Sequence, residues 1–236
     1  HTGYRRQRQM CIRDSRKRPP DMLRYWTAGE SHGKTLLALV DGFPAGLSID
    51  TDAIDHDLRL RQGGYGRGGR QKLETDRVEI LTGVWQGTTL GSPIALQVIN
   101  RDYKLERLKE LQRPRPGHGD LTGAIKYLGS VRGILERASA RETAVRVAAG
   151  SLAKQLLAQF GIQAVGYVAE LGGQPIAPVE ANIEEMRQRR DQSQIYSLRP
   201  EDDPKFIELI DQTATDGDTL GGVLSLIHIS EPTRLR

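Results

Sequence analysis

Four stretches of this 236-residue chain gather side chains that meet anions or move protons. In GESHG, residues 29–33, His32 lies within a glycine-flanked turn. Its backbone can approach a ligand closely, and its imidazole can donate to a phosphate or carry a proton near neutral pH. Read alone, it is more simply a turn histidine bonded to a carbonyl. In RPRPGHGD, residues 113–120, His118 follows Arg113 and Arg115 and precedes Asp120. Pro114 and Pro116 stiffen that loop before any ligand binds, which lowers the cost of placing a catalytic group. A charged surface loop with an incidental histidine would read the same way. In RLRQGGYGRGGRQK, residues 59–72, Arg59, Arg61, Arg67 and Arg70 bracket a glycine turn that holds Tyr65. Guanidinium groups grip phosphates with two parallel donors. In ERASARET, residues 136–143, Arg137, Ser139, Arg141 and Thr143 alternate with small alanines at the start of a long helical pattern. Unpaired N–H groups and forked donors make such a place an anion site, although an ordinary helix with a solvated Arg/Glu face has the same composition.

Composition narrows the partners. The formal net charge is +4, but residues 1–21 hold seven basic side chains against two acidic ones, and residues 225–236 hold two against one. The body, 22–224, is therefore −2, and its bulk charge does not argue for a polyanion. The Gly/Arg pattern of residues 59–72 does not repeat, as a low-complexity RNA-binding tract would. No nucleic-acid partner is expected, and a nucleic-acid-binding module using this loop stays as the alternative. Five scattered histidines lack metal-ligand spacing, so no metal is expected. There is no P-loop and no GxGxxG between a strand and a helix. No apolar run reaches the roughly 20 residues of a membrane span, and a single cysteine, Cys11, fits a reducing compartment. A cytoplasmic protein without membrane partners is expected.

The elements that must position these groups are legible in outline. Residues 36–41, 76–84, 93–99 and 162–170 read as strands. Asp50 or Thr51 caps a helix through Ile54, Leu58 and Arg61 that ends at Gly63-Gly64. The charged segment 101–111 reads as a solvated excursion. An alanine-rich helix is expected from about Ile134 to Phe160, stopped by Gly161 and thin enough to pack on several sides. Asn182 with Glu185 forms a capping box, and Asp203-Pro204 opens a helix bearing Phe206, Ile207 and Ile210. Residues 215–222 lead into a last strand. Strands in neighbouring pairs interrupted by helices indicate the α+β class.

The ends differ from this body. MCIRDS (10–15) and SLIHISEPTRLR (225–236) resemble translated sequencing-adapter read-through. On that reading the native chain starts at Met22. One domain spans 22–224, and residues 1–21 and 225–236 are non-native or disordered tails.

Taken together, GESHGKTLLALVDGFP (29–44), GGYGRGGR (63–70), RPRPGHGD (113–120) and ERASARETAVRVAAGSL (136–152) resemble the chorismate synthase family in order and approximate spacing. Segment 101–112 is short for the family, and Gly119 stands where alanine is more usual. The resemblance implies an α+β sandwich, with antiparallel sheets around central helices, here incomplete at the C-terminus and usually assembled as a homotetramer. It implies a lyase that converts 5-enolpyruvylshikimate 3-phosphate to chorismate and phosphate by 1,4-elimination, with reduced FMN (FMNH2) required. His32 would protonate or hydrogen-bond the departing phosphate, and His118 would supply a proton beside the flavin. Arg61 and Arg67 match positions assigned to NADPH as a possible reductant, or grip the substrate's anionic groups. Arg137, Ala138 and Ser139 match an FMN-contacting segment. The family's late Arg-His-Asp motif has no match here, so the chain as written is expected neither to bind flavin fully nor to turn over. A catalytically dead flavin-binding or scaffold relative is a further alternative.

Overall fold

Alternation of Leu36, Ala38 and Val40 with Leu37 and Leu39 makes a two-faced strand, β2 (Thr35–Asp41), whose first set is fully buried. The computed structural model describes residues 22–67 and 74–230. The expected tail at 1–21, residues 231–236, and Gly68, Gly69 and Arg70 of the glycine loop lie outside the described residues. Strand β1 (Arg24–Ala28) pairs antiparallel with β2, and β2 pairs with β6 (Ile94–Ile99), which pairs with β3 (Val78–Thr82). The first sheet has the order β1-β2-β6-β3. The strand expected over 76–84 is interrupted at Gly83, whose φ of +84° suits only glycine. The chain turns there into a small hairpin, β4 (Val84–Trp85) with β5 (Thr88–Thr89).

Helix α1 (Thr51–Gln62) begins as expected, with the Asp50 carboxylate accepting from the Ala53 N–H at 3.1 Å. Ile54 and Leu58 on its inner face are fully buried against the first sheet. Each such side chain contributes about 1.5–3 kcal/mol by leaving water.

The long helix expected from 134 to 160 is two helices instead. The chain forms α2 (Asp120–Tyr127), α3 (Val131–Arg137), a 3-10 turn at Ala140–Glu142, and α4 (Thr143–Ala158). The break is at Ser139, where φ −65° and ψ 147° are extended and the side-chain oxygen accepts from the Arg141 N–H. Serine offers the backbone this local alternative to helical bonding, and alanine-rich periodicity cannot reveal it. Ala144, Val145, Ala148 and Leu152 of α4 are fully buried. The small residues let α4 pack on α1, on β2 and β6, and on β7 of the second sheet.

That second sheet has the order β8-β7-β9, with β7 (Ile162–Leu171), β8 (Gln174–Pro175) and β9 (Gly222–Ser230) all antiparallel. Strand β9 runs through the expected domain end at 224 to Ser230, which pairs with Ile162. The alternating SLIHIS pattern suits a strand, and the β7 edge offers it unpaired backbone groups. Helix α5 (Ile183–Gln192) carries the capping box of Asn182 and Glu185. Helix α6 (Asp203–Thr215) buries Phe206 against Ile176 and Ile195. Two antiparallel sheets thus enclose α1 and α4, an α+β sandwich as the sequence indicated.

Candidate functional site

The loop between β1 and β2 is held from three sides. Gly29 has φ +111°, and a Cβ there would lie 2.5 Å from the Thr35 carbonyl, so only glycine fits. Asn100, at the end of β6, donates to the carbonyls of Glu30 and Gly33 at 3.1 and 2.8 Å. The His32 carbonyl accepts from the Lys104 and Leu105 N–H groups at 3.1 and 2.9 Å. From α3, the Glu136 carbonyl takes the Ser31 N–H at 2.9 Å, and its carboxylate Oε2 takes the His32 N–H at 3.1 Å. The same Oε2 lies 2.7 Å from His32 Nδ1, while His32 Nε2 stands 3.4 Å from Asp102 Oδ2.

The break between α3 and α4 turns several arginines toward the same junction. Arg141 is only 6 % exposed and places NH1 2.6 and 2.7 Å from the two Asp76 oxygens. Its Nε donates to Asn100 Oδ1 at 2.8 Å, so one asparagine links the buried ion pair to the His32 loop. Arg61, from the last turn of α1, donates to the Ala140 carbonyl at 2.9 Å and to Thr143 Oγ1 at 3.0 Å. Burial holds its guanidinium below the ordinary range, against the pull of Asp76. Arg137 donates to the Thr27 carbonyl and hydroxyl, both at 2.9 Å. Its NH1 is buried, 3.4 Å from Glu142, and makes no hydrogen bond.

The 113–120 loop joins this junction through its C-terminal end. Arg115 and Asp120 form a two-pronged pair, and with the Arg115 backbone N–H this holds the Asp120 carboxyl down to about 2. His118 is exposed, its Nδ1 2.9 Å from the Pro116 carbonyl. Gly119 lies against Ala138. Gly119, Thr122, Gly123, Lys126, Tyr127, Ile134, Arg137 and Ala138 line a cleft of about 290 Å³.

Of the residues singled out in the sequence, His32, Arg61, Arg137, Ala138 and Ser139 meet at or beside the α3–α4 junction. His118 is one residue from its edge. Arg67 stands apart in a neighbouring cavity of about 580 Å³, shared with Tyr65, Tyr167, Arg190 and Tyr196. It is still close enough for its charge to weigh on Arg61. Sequence reasoning passed over Glu136, Asn100, Asp76 and Asp102. Glu136 lies inside a quoted motif, but its complete burial depends on contacts from 104 residues away.

Chemically, the junction offers a held imidazole and the guanidinium groups of Arg61 and Arg137, which suits anionic ligands. Arg137 and Lys126 bring positive charge to the cleft lining, which fits an anionic group there. The cleft, about 290 Å³, has room for a small anionic group. Among the described residues no group of three or more His, Cys, Asp or Glu is placed to hold a metal ion, and no helix is long and apolar enough to cross a membrane.

Comparison with known proteins adds independent findings. The family model for chorismate synthase matches residues 23–235. The chain is 46 % identical over 229 residues to chorismate synthase of Enterococcus faecalis, covering 90 % of this chain and 59 % of that protein. It is 48 % identical over 234 residues to the Symbiobacterium thermophilum enzyme, covering 90 % and 59 %, and 49 % identical over 227 residues to that of Geotalea daltonii, covering 91 % and 58 %. A crystal structure of chorismate synthase superposes with a TM-score of 0.73 at 39 % identity, over 89 % of this chain and 59 % of that one. The chain thus spans about three-fifths of the length of these relatives.

Proposed function

This chain belongs to the chorismate synthase family, and on that premise we propose that its site serves the elimination of phosphate from 5-enolpyruvylshikimate 3-phosphate to give chorismate. The substrate loses a C–O bond to phosphate and one proton from carbon, and a second ring double bond forms. Reduced FMN, when bound, supplies electron density to the developing electron-poor ring. The protein's own groups do the rest. His32 Nε2 donates to the departing phosphate, and His118 supplies a proton beside the flavin. Arg137, Ala138 and Ser139 hold the flavin phosphate end. Arg61 and Arg67 meet the substrate's anionic groups or NADPH. Fixed donors aimed at charge that develops on the leaving group act most strongly in the transition state. The working form is a homotetramer in the cytoplasm.

The observation that supports this reading is the convergence of three separate motifs. His32 is bonded to Glu136, Arg61 to Ala140 and Thr143, and Gly119 packs on Ala138. The test is chorismate formation with reduced FMN by a form extended to the length of the relatives. His32→Ala and His118→Ala are each expected to lower kcat by about 10²–10⁴-fold, the usual contribution of a positioned acid or base. Full activity in both variants would overturn the assignment. The 236-residue chain itself is expected to be inactive. Chorismate produced by it would refute that part.

A further inference from the structure

Glu136 is a carboxylate with no exposed surface, and its work is not explained by packing. Its Oε2 receives two donors from one residue: the His32 backbone N–H at 3.1 Å and the ring Nδ1 at 2.7 Å. Its Oε1 is buried without a hydrogen bond, and the nearest cation is Arg132 NH1 at 3.5 Å, four residues earlier on α3. Burying a carboxylate is costly unless its oxygens are used, so a purely structural glutamate here would be a poor choice beside a leucine or methionine.

We propose that Glu136 is the positioning residue of His32: it holds the ring by Nδ1–H and leaves Nε2 as the nitrogen that meets the substrate, where it donates to the phosphate when the ring carries its second proton. This rests on the role given to His32 above. The hydrogen bonding selects the tautomer. Oε2 already accepts from a backbone N–H, so it acts as an acceptor toward the ring as well, and Nδ1 carries the proton. Holding both the backbone and the ring of one residue on one oxygen fixes the side-chain torsions. Nε2 then points away from Glu136 toward Asp102 at 3.4 Å, long for a hydrogen bond, and Asp102 is itself held by Lys104 at 2.8 Å. The other charged groups around the pair are Arg132, on Glu136, and Arg115, whose guanidinium feels the Glu136 charge. The Ser31 N–H, bonded to the Glu136 carbonyl, ties the same helix turn to the same loop.

The test reads the ring directly. In this chain labelled with ¹⁵N-histidine, the His32 signals are identified by their loss in His32→Asn. The expected spectrum has Nδ1 protonated, with its proton slow to exchange. Glu136→Met removes the acceptor and is expected to return the ring to the ordinary preference for a proton on Nε2. Glu136→Gln, whose side-chain carbonyl still accepts, is expected to restore Nδ1–H. A His32 ring protonated on Nε2 alone in the unsubstituted chain overturns the proposal without any variant needing to fold. So does an Nδ1–H that persists unchanged in Glu136→Met. The same substitutions in a flavin-loaded form of this chain extended to the length of the relatives separate this inference from the function. Glu136→Met is expected to lower kcat at least tenfold with KM little changed, and Glu136→Gln less. If His32→Ala abolishes turnover while Glu136→Met spares it, the positioning role is wrong. If His32→Ala itself spares turnover, the reading of His32 fails, and its positioning for the reaction with it.

Discussion

Arg115 closes on Asp120 with both arms of a fork, Nε at 2.9 Å and NH2 at 3.1 Å, while its own backbone N–H donates to the same carboxylate at 3.0 Å. The loop that carries His118 is therefore knotted at its base by one acid and one base five residues apart. Asp120 has no exposed surface, and its carboxyl titrates at about 2 against an ordinary 3.8.

A depressed carboxylate stabilises the fold above its unfolded value and loses that contribution as pH falls through its folded one. The loop is thus expected to keep its order down to about pH 4 and to loosen between about pH 4 and 2. Carboxyl ¹³C titration of Asp120 should show the low midpoint, and Asp120→Asn should remove the acid step from thermal melts. An Asp120 midpoint near 4 would contradict this.

The buried pair of Arg141 and Asp76 joins the α3–α4 turn to the segment before β3. Removing Asp76 takes the closer carboxylate from buried Arg141 and leaves Glu74 at 3.6 Å, so the loss is expected to approach the about 3–5 kcal/mol of a broken buried pair. Asp76→Ala is expected to lower the unfolding free energy from urea denaturation by that amount and to free the Asn100 clamp on the His32 loop. A change below about 1 kcal/mol would show that Glu74 alone balances Arg141.

Gly29→Ala should be disproportionate for one methyl group. Its Cβ would fall 2.5 Å from the Thr35 carbonyl, with φ at +111°. The expected loss exceeds about 1 kcal/mol, and the His32 ring signals should broaden or shift with it. Gly217→Ala, also at positive φ but with open space around it, should leave those signals in place.

Leu152→Ala, in the centre of α4, should cost about 2–5 kcal/mol by opening a cavity between α1 and the first sheet. Leu157→Ala on the same helix, 38 % exposed, should cost far less. Chemical denaturation of the two variants side by side measures the difference.

Much of the architecture was readable because it is local. The Asp50 cap, the Asn182–Glu185 box and the two-residue alternation of β2 and β6 depend on neighbours a few positions away. The break at Ser139 was not readable, because an alanine-rich stretch carries the same periodicity with or without one extended residue. Helix α2 was hidden for a related reason: its N-cap is Gly119, in a loop that reads as rigid and irregular. Residues 225–230 carry a strand's alternation, but the β7 edge with which they pair is brought alongside only by folding.

The sequence by itself determined the inventory: imidazoles in glycine and proline turns, arginines beside small residues, and sheets and helices of the right type to carry them. Only the tertiary structure decided which of these groups are held ready and which are already spent. Arg141 read in the chain as a free anion grip, yet its donors are turned inward to Asp76 and Asn100. Glu136 read as one acid on a solvated face, yet it is the buried partner of His32. The reason is that a charge removed from water must find a partner. Helical and strand periods tell which face a residue lies on, but that partner comes from a distant segment brought alongside only when the sheets and helices pack.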